Sequence, residues 1–393
     1  MKKMFKKSIK LLLGIFFLPV AILIRVLSPV LTIRMGRIIG DRIGHFAFEL
    51  EMYLCEKDHN LHRRKLDIFF ISTTVVNKQL KQMWSRKVLI VPKFLILPLY
   101  TANNMLPGYK KHLVPLCSHK HDDPLGLMNN YTPHLTFTSE EEKRGLDEIK
   151  KLGFTPEDKM ICFFARDSAY LDAVAGSRIH AYHDYRDADI QNYNVMATDF
   201  AEAGYAMIRY GSVVKKKLET DHPKVFDYAS KGRSEFLDIF LIARSKFFVS
   251  TNSGPCALAT IFRVPNAFAN VAAMLGSLGI SRDDDLYIFK KYWLKAENRF
   301  LNINEILKSG AGNFSETHLY TNSGIDLIEN TPAEIRDLTL EMELRLSGKW
   351  QVTTDEEILQ KKYREILIDN NVDPSKMPRV CTAFLRNNLF LLY

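Results

Sequence analysis

The run Phe247-Phe248-Val249-Ser250-Thr251-Asn252-Ser253-Gly254-Pro255 passes from apolar to small polar residues, and an apolar pattern restarts at once through residue 264. This spacing predicts a buried strand that breaks off at Ser253-Gly254-Pro255 and feeds a helix. Parallel sheets present their ligand sites at the carboxyl ends of strands, so Thr251, Asn252, Ser253 and Gly254 fall where a site would be. Gly254 permits a tight turn and Pro255 suits a first helical position. Free N–H groups of the first helical turn, with the Ser253 hydroxyl beside them, would then suit an anion such as a diphosphate. A strand-to-helix turn with a capping serine reads the same way, so the assignment needs a second feature.

That feature is residues 159–167, KMICFFARD, which place Arg166 and Asp167 at the end of another expected strand. A guanidinium there can grip a phosphate through two N–H groups. Arg209, within the strand expected over 206–212, is a further candidate for the donor. Between them runs a polar, aromatic segment with His180, His183, Asp184, Tyr185, Arg186, Asp187 and Asp189, long enough to be a functional loop rather than a plain link. Solvated loop and helix cap are the alternative reading of its acids. Asp227, Tyr228 and Asp238 precede or enter the next helix, where they would hold a ribose or base, or else brace that helix.

A group able to take a proton from a hydroxyl is expected nearer the start, in GDRIGHFAFE. Asp41 and His45 are the first choices, His45 slightly ahead, and Glu49 lies one turn beyond. Charge compensation with Arg37 and Arg42 is the alternative for these side chains.

The elements that must carry these residues alternate. Residues 37–58 read as a strand or turn feeding a helix, 65–73 as a buried strand, 77–88 as a helix, and 88–100 as apolar again. Residues 138–154 are strongly helix-forming, with Ser139 as the expected cap, Glu142 behind it and Gly153 as the stop. Strand and helix then alternate from 159 to 271, which predicts a doubly wound parallel sheet. Thr331, Pro332 and Glu334 mark a later helix start.

With 393 residues and 47% hydrophobic side chains, the chain is long enough for two ordinary domains. The expected division is a membrane-associating segment over 1–33, an N-terminal domain over 34–155, a C-terminal domain over 156–345, and a helical tail over 346–393 that folds back on the first domain. The five cysteines are dispersed, with no metal-knuckle spacing and no disulfide framework. A reducing, cytoplasmic setting and no metal cofactor are therefore expected. The acids at 283–285 read as a solvated turn.

Residues 1–44 hold nine basic side chains and one acid, which leaves the rest of the chain near neutral, with 45 basic against 44 acidic residues. A nucleic-acid partner would require excess positive charge on the folded body as well, so none is expected. The apolar run 11–33 is interrupted by Pro19, Arg25 and Pro29, and cations flank both ends. These features favour an in-plane anchor on anionic lipid at the cytoplasmic face over a single span.

Taken together, FFARDSAY, YHDYRDADIQNY, IRYG, FDYAS, SEFLDIFLIARSKFFVSTNSGP and ENTPAEI resemble a family of bacterial glycosyltransferases from surface-polysaccharide gene clusters (O-antigen and capsule). The resemblance runs from GDRIGH near residue 40 to about residue 345. It implies an α/β fold of the GT-B kind, with two Rossmann-like domains facing a cleft, a nucleotide-sugar held by the C-terminal one, no required metal, and a lipid-linked or glycan acceptor. More distantly similar heptosyltransferases and O-fucosyltransferases use a Ser-Gly turn and a strand-end arginine for the donor diphosphate, a role that carries over to Ser253, Gly254 and Arg166. The family usually has Asn where this chain has Asp187. A sugar-nucleotide epimerase of the same fold, or a membrane-bound nucleotide-binding scaffold without chemistry, are the competing expectations.

Overall fold

The computed structural model describes residues 12–59, 65–116, 123, 125–170, 181–275 and 281–393. His180, Cys117 and the lysines at 2–10 lie outside them. The chain divides into two compact units, Met1–Phe137 and Thr138–Tyr393, so the boundary falls before the helix at 139 rather than at 155.

In the first unit, helix α1 (Leu18–Leu27) buries Ala21 and Ile24. Strand β1 (Thr32–Ile38) leads into helix α2 (Ile43–Asp58) and then strand β2 (Lys65–Ile71), which pairs parallel with β1. The Arg34 guanidinium spans the pair to Asp67, with Nε–Oδ1 2.7 Å and Nη2–Oδ2 2.6 Å, and Tyr53 donates to the same carboxylate. Isolated parallel bridges, Met35 to Leu113 and Phe69 to Ile90, widen this two-stranded sheet on both sides. It is a smaller sheet than the Rossmann-like domain expected here. Helix α3 (Lys78–Ser85) is capped by Asn77. The apolar stretch after it becomes helix α4 (Lys93–Asn104), which begins after Pro92 and buries Ile96, Pro98 and Ala102 at helical spacing. A short helix α5 (Leu127–Asn130) follows.

The second unit opens with helix α6 (Ser139–Lys151). Its cap is Thr138 with Glu141, one residue ahead of the expected pair, because Thr138 is the last extended residue and its Oγ1 accepts from the Glu141 N–H. The chain continues through β3 (Met160–Phe164), α7 (Asn194–Glu202), β4 (Ala206–Arg209), β5 (Val225–Asp227), α8 (Glu235–Arg244), β6 (Phe248–Ser250), α9 (Cys256–Ile261), β7 (Asn266–Val271) and β8 (Leu286–Phe289). A small antiparallel sheet comprises β9 (Lys291–Leu294), β10 (Arg299–Phe300) and β11 (Ile325–Ile328). Helix α10 (Ile303–Lys308) and helix α11 (Thr317–Asn322) lie between these strands in sequence, and α12 (Pro332–Leu346), α13 (Thr354–Asp369), β12 (Arg379–Val380) and α14 (Thr382–Asn387) complete the chain.

The main sheet is entirely parallel, in the order β12-β8-β7-β6-β3-β4-β5. From β3 the chain steps outward to β4 and β5, returns to the other side of β3 at β6, and steps outward again. That is the doubly wound order, and its reversal point, where a crevice opens outside the carboxyl ends, lies between β3 and β6. Strands β3, β4, β6 and β7 are almost wholly buried, as their unbroken apolar runs require. The tail belongs to the second unit. Strand β12 extends the sheet beside β8, and Tyr363, Leu367, Phe384 and Leu385 belong to the core of the second unit. Two-residue β12 is too short to have been read as a strand.

Candidate anion-binding site

The reversal point puts the ends of β3 and β6 side by side, with Phe164 opposite Ser250. Beyond that pair the two chains stay tied. The Thr251 N–H donates to the Phe164 carbonyl at 3.2 Å, and the Arg166 N–H donates to Thr251 Oγ1 at 3.1 Å. Arg166 and Asn252 are thereby held next to each other by two strands whose own residues are core. Arg166 is only 6% exposed and Asn252 3%. Neither Oδ1 nor Nδ2 of Asn252 has a hydrogen-bond partner among the described residues, and neither does Arg166 Nη2. A buried amide with all its capacity unused is costly unless a ligand completes it.

The loop after β3 returns to this point as well. A 3-10 turn spans Ala181–Arg186, and Asp187 forms an ion pair with Arg166 Nη1. The Ala188 N–H donates to the Arg166 carbonyl at 2.9 Å. From the end of β8, Lys290, 4% exposed, donates through Nζ to the Asp187 carbonyl at 2.5 Å. Arg186 is half-buried with its Nε unpartnered among the described residues. Burial and the neighbouring Arg186 charge push the Arg166 pKa down to about 10. Burial brings Lys290 down to about 8, with Glu329 opposing and Arg166 adding to the fall. Arg166 lies within the field of both Arg186 and Lys290, with Asp187 in direct contact and Asp167, Asp184 and Glu329 offsetting part of that charge, so a local cluster of cations is available to an anion.

The SGP turn differs from expectation. The N–H groups of Cys256, Ala257 and Leu258 donate to the carbonyls of Ser253, Gly254 and Pro255 at 3.1, 3.2 and 3.0 Å. The first turn closes on itself in the tighter i to i+3 pattern, so its amides are not open. The amides without an acceptor among the described residues are those of Asn252, Ser253 and Gly254, just ahead of the helix. Helix α9 is only six residues long, so its dipole adds little. Cys256 is a buried thiol raised to about 12 by burial, and it is not a nucleophile.

Other expected ligands are used internally. Asp167 accepts from the N–H groups of Ala169 and Lys215, which clamps two loops together. Arg209 donates to both oxygens of Asp227, which also accepts from the Leu218 N–H and the Ser230 hydroxyl. Tyr228 donates to Asp238, which Arg233 also holds at 2.7 Å, and burial raises Asp238 to about 6. These four side chains brace β4, β5 and α8. Tyr185 is buried against Tyr320, and His183 packs on the Tyr182 ring, centroids 3.9 Å apart. The acids at 283–285 are not all solvated either: Asp285 is fully buried, accepts from the N–H groups of Asn266 and Arg282, and is raised by burial to about 7. Lys290 is the member that sequence reasoning missed. Its only signal is a lysine ending the apolar run 286–289.

In the first unit, the turn after β1 sits at the carboxyl edge of its strand pair. Thr73 Oγ1 accepts from the N–H groups of Gly40, at 2.8 Å, and Asp41, at 3.1 Å. Gly40 is required here, since a Cβ would lie 2.7 Å from Ile71 Cγ2 and 2.8 Å from the Thr74 carbonyl. The Asp41 carboxylate has no hydrogen-bond or ion-pair partner among the described residues, so the expected pairing with Arg37 or Arg42 is not formed. His45 Nδ1 lies 2.5 Å from Glu49 Oε1, and Glu49 is buried. Glu49 therefore fixes the ring and cannot itself reach a substrate.

No family model and no curated protein matches this chain. Among solved structures it is similar to a glycosyl transferase family 9 protein from Veillonella parvula, at 13% identity over 60% of this chain and 80% of that one, with a TM-score of 0.37. It is also similar to the E. coli ADP-heptose lipopolysaccharide heptosyltransferase II, at 14% identity over 60% and 83% of the two chains, with a TM-score of 0.36. A third is the iron-containing, dodecameric heptosyltransferase TibC, at 9% identity over 61% and 58%, with a TM-score of 0.32. The overlap is loose at these scores, and the α/β class rests on the strand order itself.

Proposed function

We propose that this chain is a glycosyltransferase that takes a sugar from a nucleoside diphosphate donor held by the second unit. The observation that carries the reading is the buried Asn252 amide, with neither polar atom partnered among the described residues, beside the buried Arg166 at the reversal point of a doubly wound sheet, with Lys290 and Arg186 nearby. Such a set binds a diphosphate in the ground state and stabilises it further as it leaves with growing negative charge. The Asn252–Gly254 amides supply neutral donors to the same oxygens. Nucleobase and sugar are left open.

The acceptor half of the chemistry requires a base. Asp41 is preferred over His45 on this structure, because its carboxylate is unpaired among the described residues while His45 is tethered to Glu49. The donor set needs no metal to neutralise the leaving group. The acceptor we propose is a lipid-linked glycan of bacterial surface-polysaccharide synthesis, reached from the cytoplasmic face of the membrane. Support comes from α1 and the residues flanking it, where Phe16, Leu23, Val26 and Val30 are largely exposed, and from the basic sequence that precedes them in the chain. No described helix is long and apolar enough to cross a membrane, so the contact proposed is in the membrane plane.

Incubation of the full chain with a panel of nucleotide-sugars tests the reading. Slow release of free sugar and nucleoside diphosphate supports transfer. Epimerised sugar-nucleotide would replace it with an epimerase, and binding without turnover with a scaffold. Absence of binding to any nucleoside diphosphate overturns the site.

A further inference from the structure

Outside the anion site, one cluster in the first unit has an unusual composition. Glu51 and Cys55 stand one turn apart on α2, both fully buried, and His134 comes to them from the segment after α5. One ligand-capable atom from each lies within 4.8 Å of the other two. The His134 ring is oriented from both ends, with Nδ1 3.0 Å from Glu51 Oε1 and Nε2 3.0 Å from Asp58 Oδ2. The sequence did not suggest this, because residues 51, 55 and 134 have no knuckle spacing and meet only through the fold.

We propose that Glu51, Cys55 and His134 form a structural site for a divalent transition ion of the zinc class. A thiolate, an imidazole nitrogen and a carboxylate oxygen are the mixed donor set such an ion takes, and water would complete the fourth position; the full burial of Glu51 and Cys55 keeps substrate from it, unlike the open position of a catalytic site. Asp58 stands where a ligating histidine usually finds its outer carboxylate: with metal on Nδ1, the Nε2–H donates to Asp58 and fixes the tautomer. The ligating forms are the thiolate, the carboxylate and the neutral ring, so any proton that the Cys55 sulfur or His134 Nδ1 carries is released to solvent when the ion binds. Bonds of about 2.0–2.3 Å to zinc in a tetrahedral arrangement set the ligand atoms roughly 3.5 Å apart, a spacing that small rotamer adjustments reach from the present separations of 4.8 Å or less.

The role is structural rather than catalytic. Glu51 lies about 9 Å further along α2 than His45, at 1.5 Å per residue. The ion would pin the second half of α2 to the stretch that leads into Thr138.

The test uses the full chain, stripped with chelator, loaded with zinc chloride and desalted. The expected result is one zinc retained per chain and a rise in melting temperature. Cobalt loading should add a sulfur-to-cobalt charge-transfer absorption in the near ultraviolet. Cys55→Ser should abolish that absorption, and His134→Gln should lose the retained metal. Asp58→Asn should retain it with roughly 10–100-fold weaker affinity. The cobalt spectrum of the unaltered chain decides the matter if either ligand variant fails to fold. No retained metal and no charge-transfer band in the unaltered chain, or an undiminished band in Cys55→Ser, overturns the proposal. None of these readouts depends on nucleotide binding, so the outcome stands apart from the proposed function.

Discussion

The backbone N–H of Arg166 donates to Thr251 Oγ1 at 3.1 Å, joining the ends of two neighbouring strands that are 85 residues apart in the chain. The bond makes the anion site a property of the sheet's reversal point rather than of either loop alone. It also holds Asn252 beside Arg166 without help from a ligand.

Thr251→Val retains the shape of this contact and removes its acceptor. The buried Arg166 N–H then goes unsatisfied, and a loss of about 1–3 kcal/mol of stability is expected. Nucleoside diphosphate affinity should fall as well, because Arg166 and Asn252 are no longer held in register. Denaturant melts and calorimetric titration read the two effects separately. Unchanged stability would mean the bond is not formed.

Lys290 makes the site pH-dependent. Burial lowers its pKa to about 8, so it is charged below that pH and neutral above it. Affinity for a nucleoside diphosphate should therefore be highest below pH 8 and decline as pH rises through it, while Arg166, lowered only to about 10, remains charged. Lys290→Met should bind more weakly at pH 7 and show no such decline. A variant with the same pH profile as the parent chain removes Lys290 from the site.

Arg209 and Asp227 provide the opposite case. Both were expected as donor ligands, but they neutralise each other, and Asp227 holds two further donors. Arg209→Met leaves a nearly buried carboxylate without its cation and should cost about 3 kcal/mol of stability. Diphosphate affinity of the folded protein should be unchanged. A drop in affinity with unaltered melting would return Arg209 to the site.

The contrast between Arg166 and Arg209 shows what the sequence made legible. Alternating apolar runs sufficed for β3, β4, β6 and β7 and the helices α7, α8 and α9 between them, and parallel-sheet geometry then placed their strand-end residues at one edge. Both arginines look alike at that level. Whether a strand-end cation is satisfied depends on an acid brought from elsewhere, Asp227 from β5 or Asp187 from a loop, and pairing of that kind leaves no periodic trace. The SGP turn was legible as a strand-to-helix junction, but not its closure on the carbonyls of residues 253–255, which depends on one tight turn. Short strands such as β5 and β12 were missed for a simpler reason: two or three residues carry no alternation to detect. Lys290 was missed because its burial is decided by the Asp187 carbonyl over 100 positions away.

The assignment of the base divides Asp41 from His45 by kinetics. Asp41→Asn should lower kcat by about 10²–10⁴ with donor affinity unchanged. Glu49→Gln loosens the His45 ring and should have a smaller effect. A steeper loss in His45→Ala than in Asp41→Asn would reverse the assignment and make the His45–Glu49 pair the base and its positioning residue. Both variants must be compared with donor saturating, so that binding and chemistry are not confused.

The exposed side of α1 sets the last expectation. The inner side is made of small or short residues: Gly14, where a Cβ would come within 2.8 Å of Thr101 Cγ2, then Ala21 and Ile24. These let the segment lie against α4, and they leave Phe16, Leu23, Val26 and Val30 facing outward with no protein cover among the described residues. Lys111 Nζ, 3.0 Å from Ser28 Oγ, puts a further cation at the end of α1. Each lysine or arginine near an anionic bilayer adds about 1 kcal/mol, and salt screens that attraction. The full chain should float with vesicles containing anionic lipid, less so with neutral vesicles or at high salt. Phe16→Glu with Leu23→Glu should abolish flotation and leave nucleotide binding intact. Flotation that survives the pair places the contact elsewhere. A concentration-dependent dimer in detergent-free buffer, removed by the same pair, would assign this face to a second copy of the chain instead.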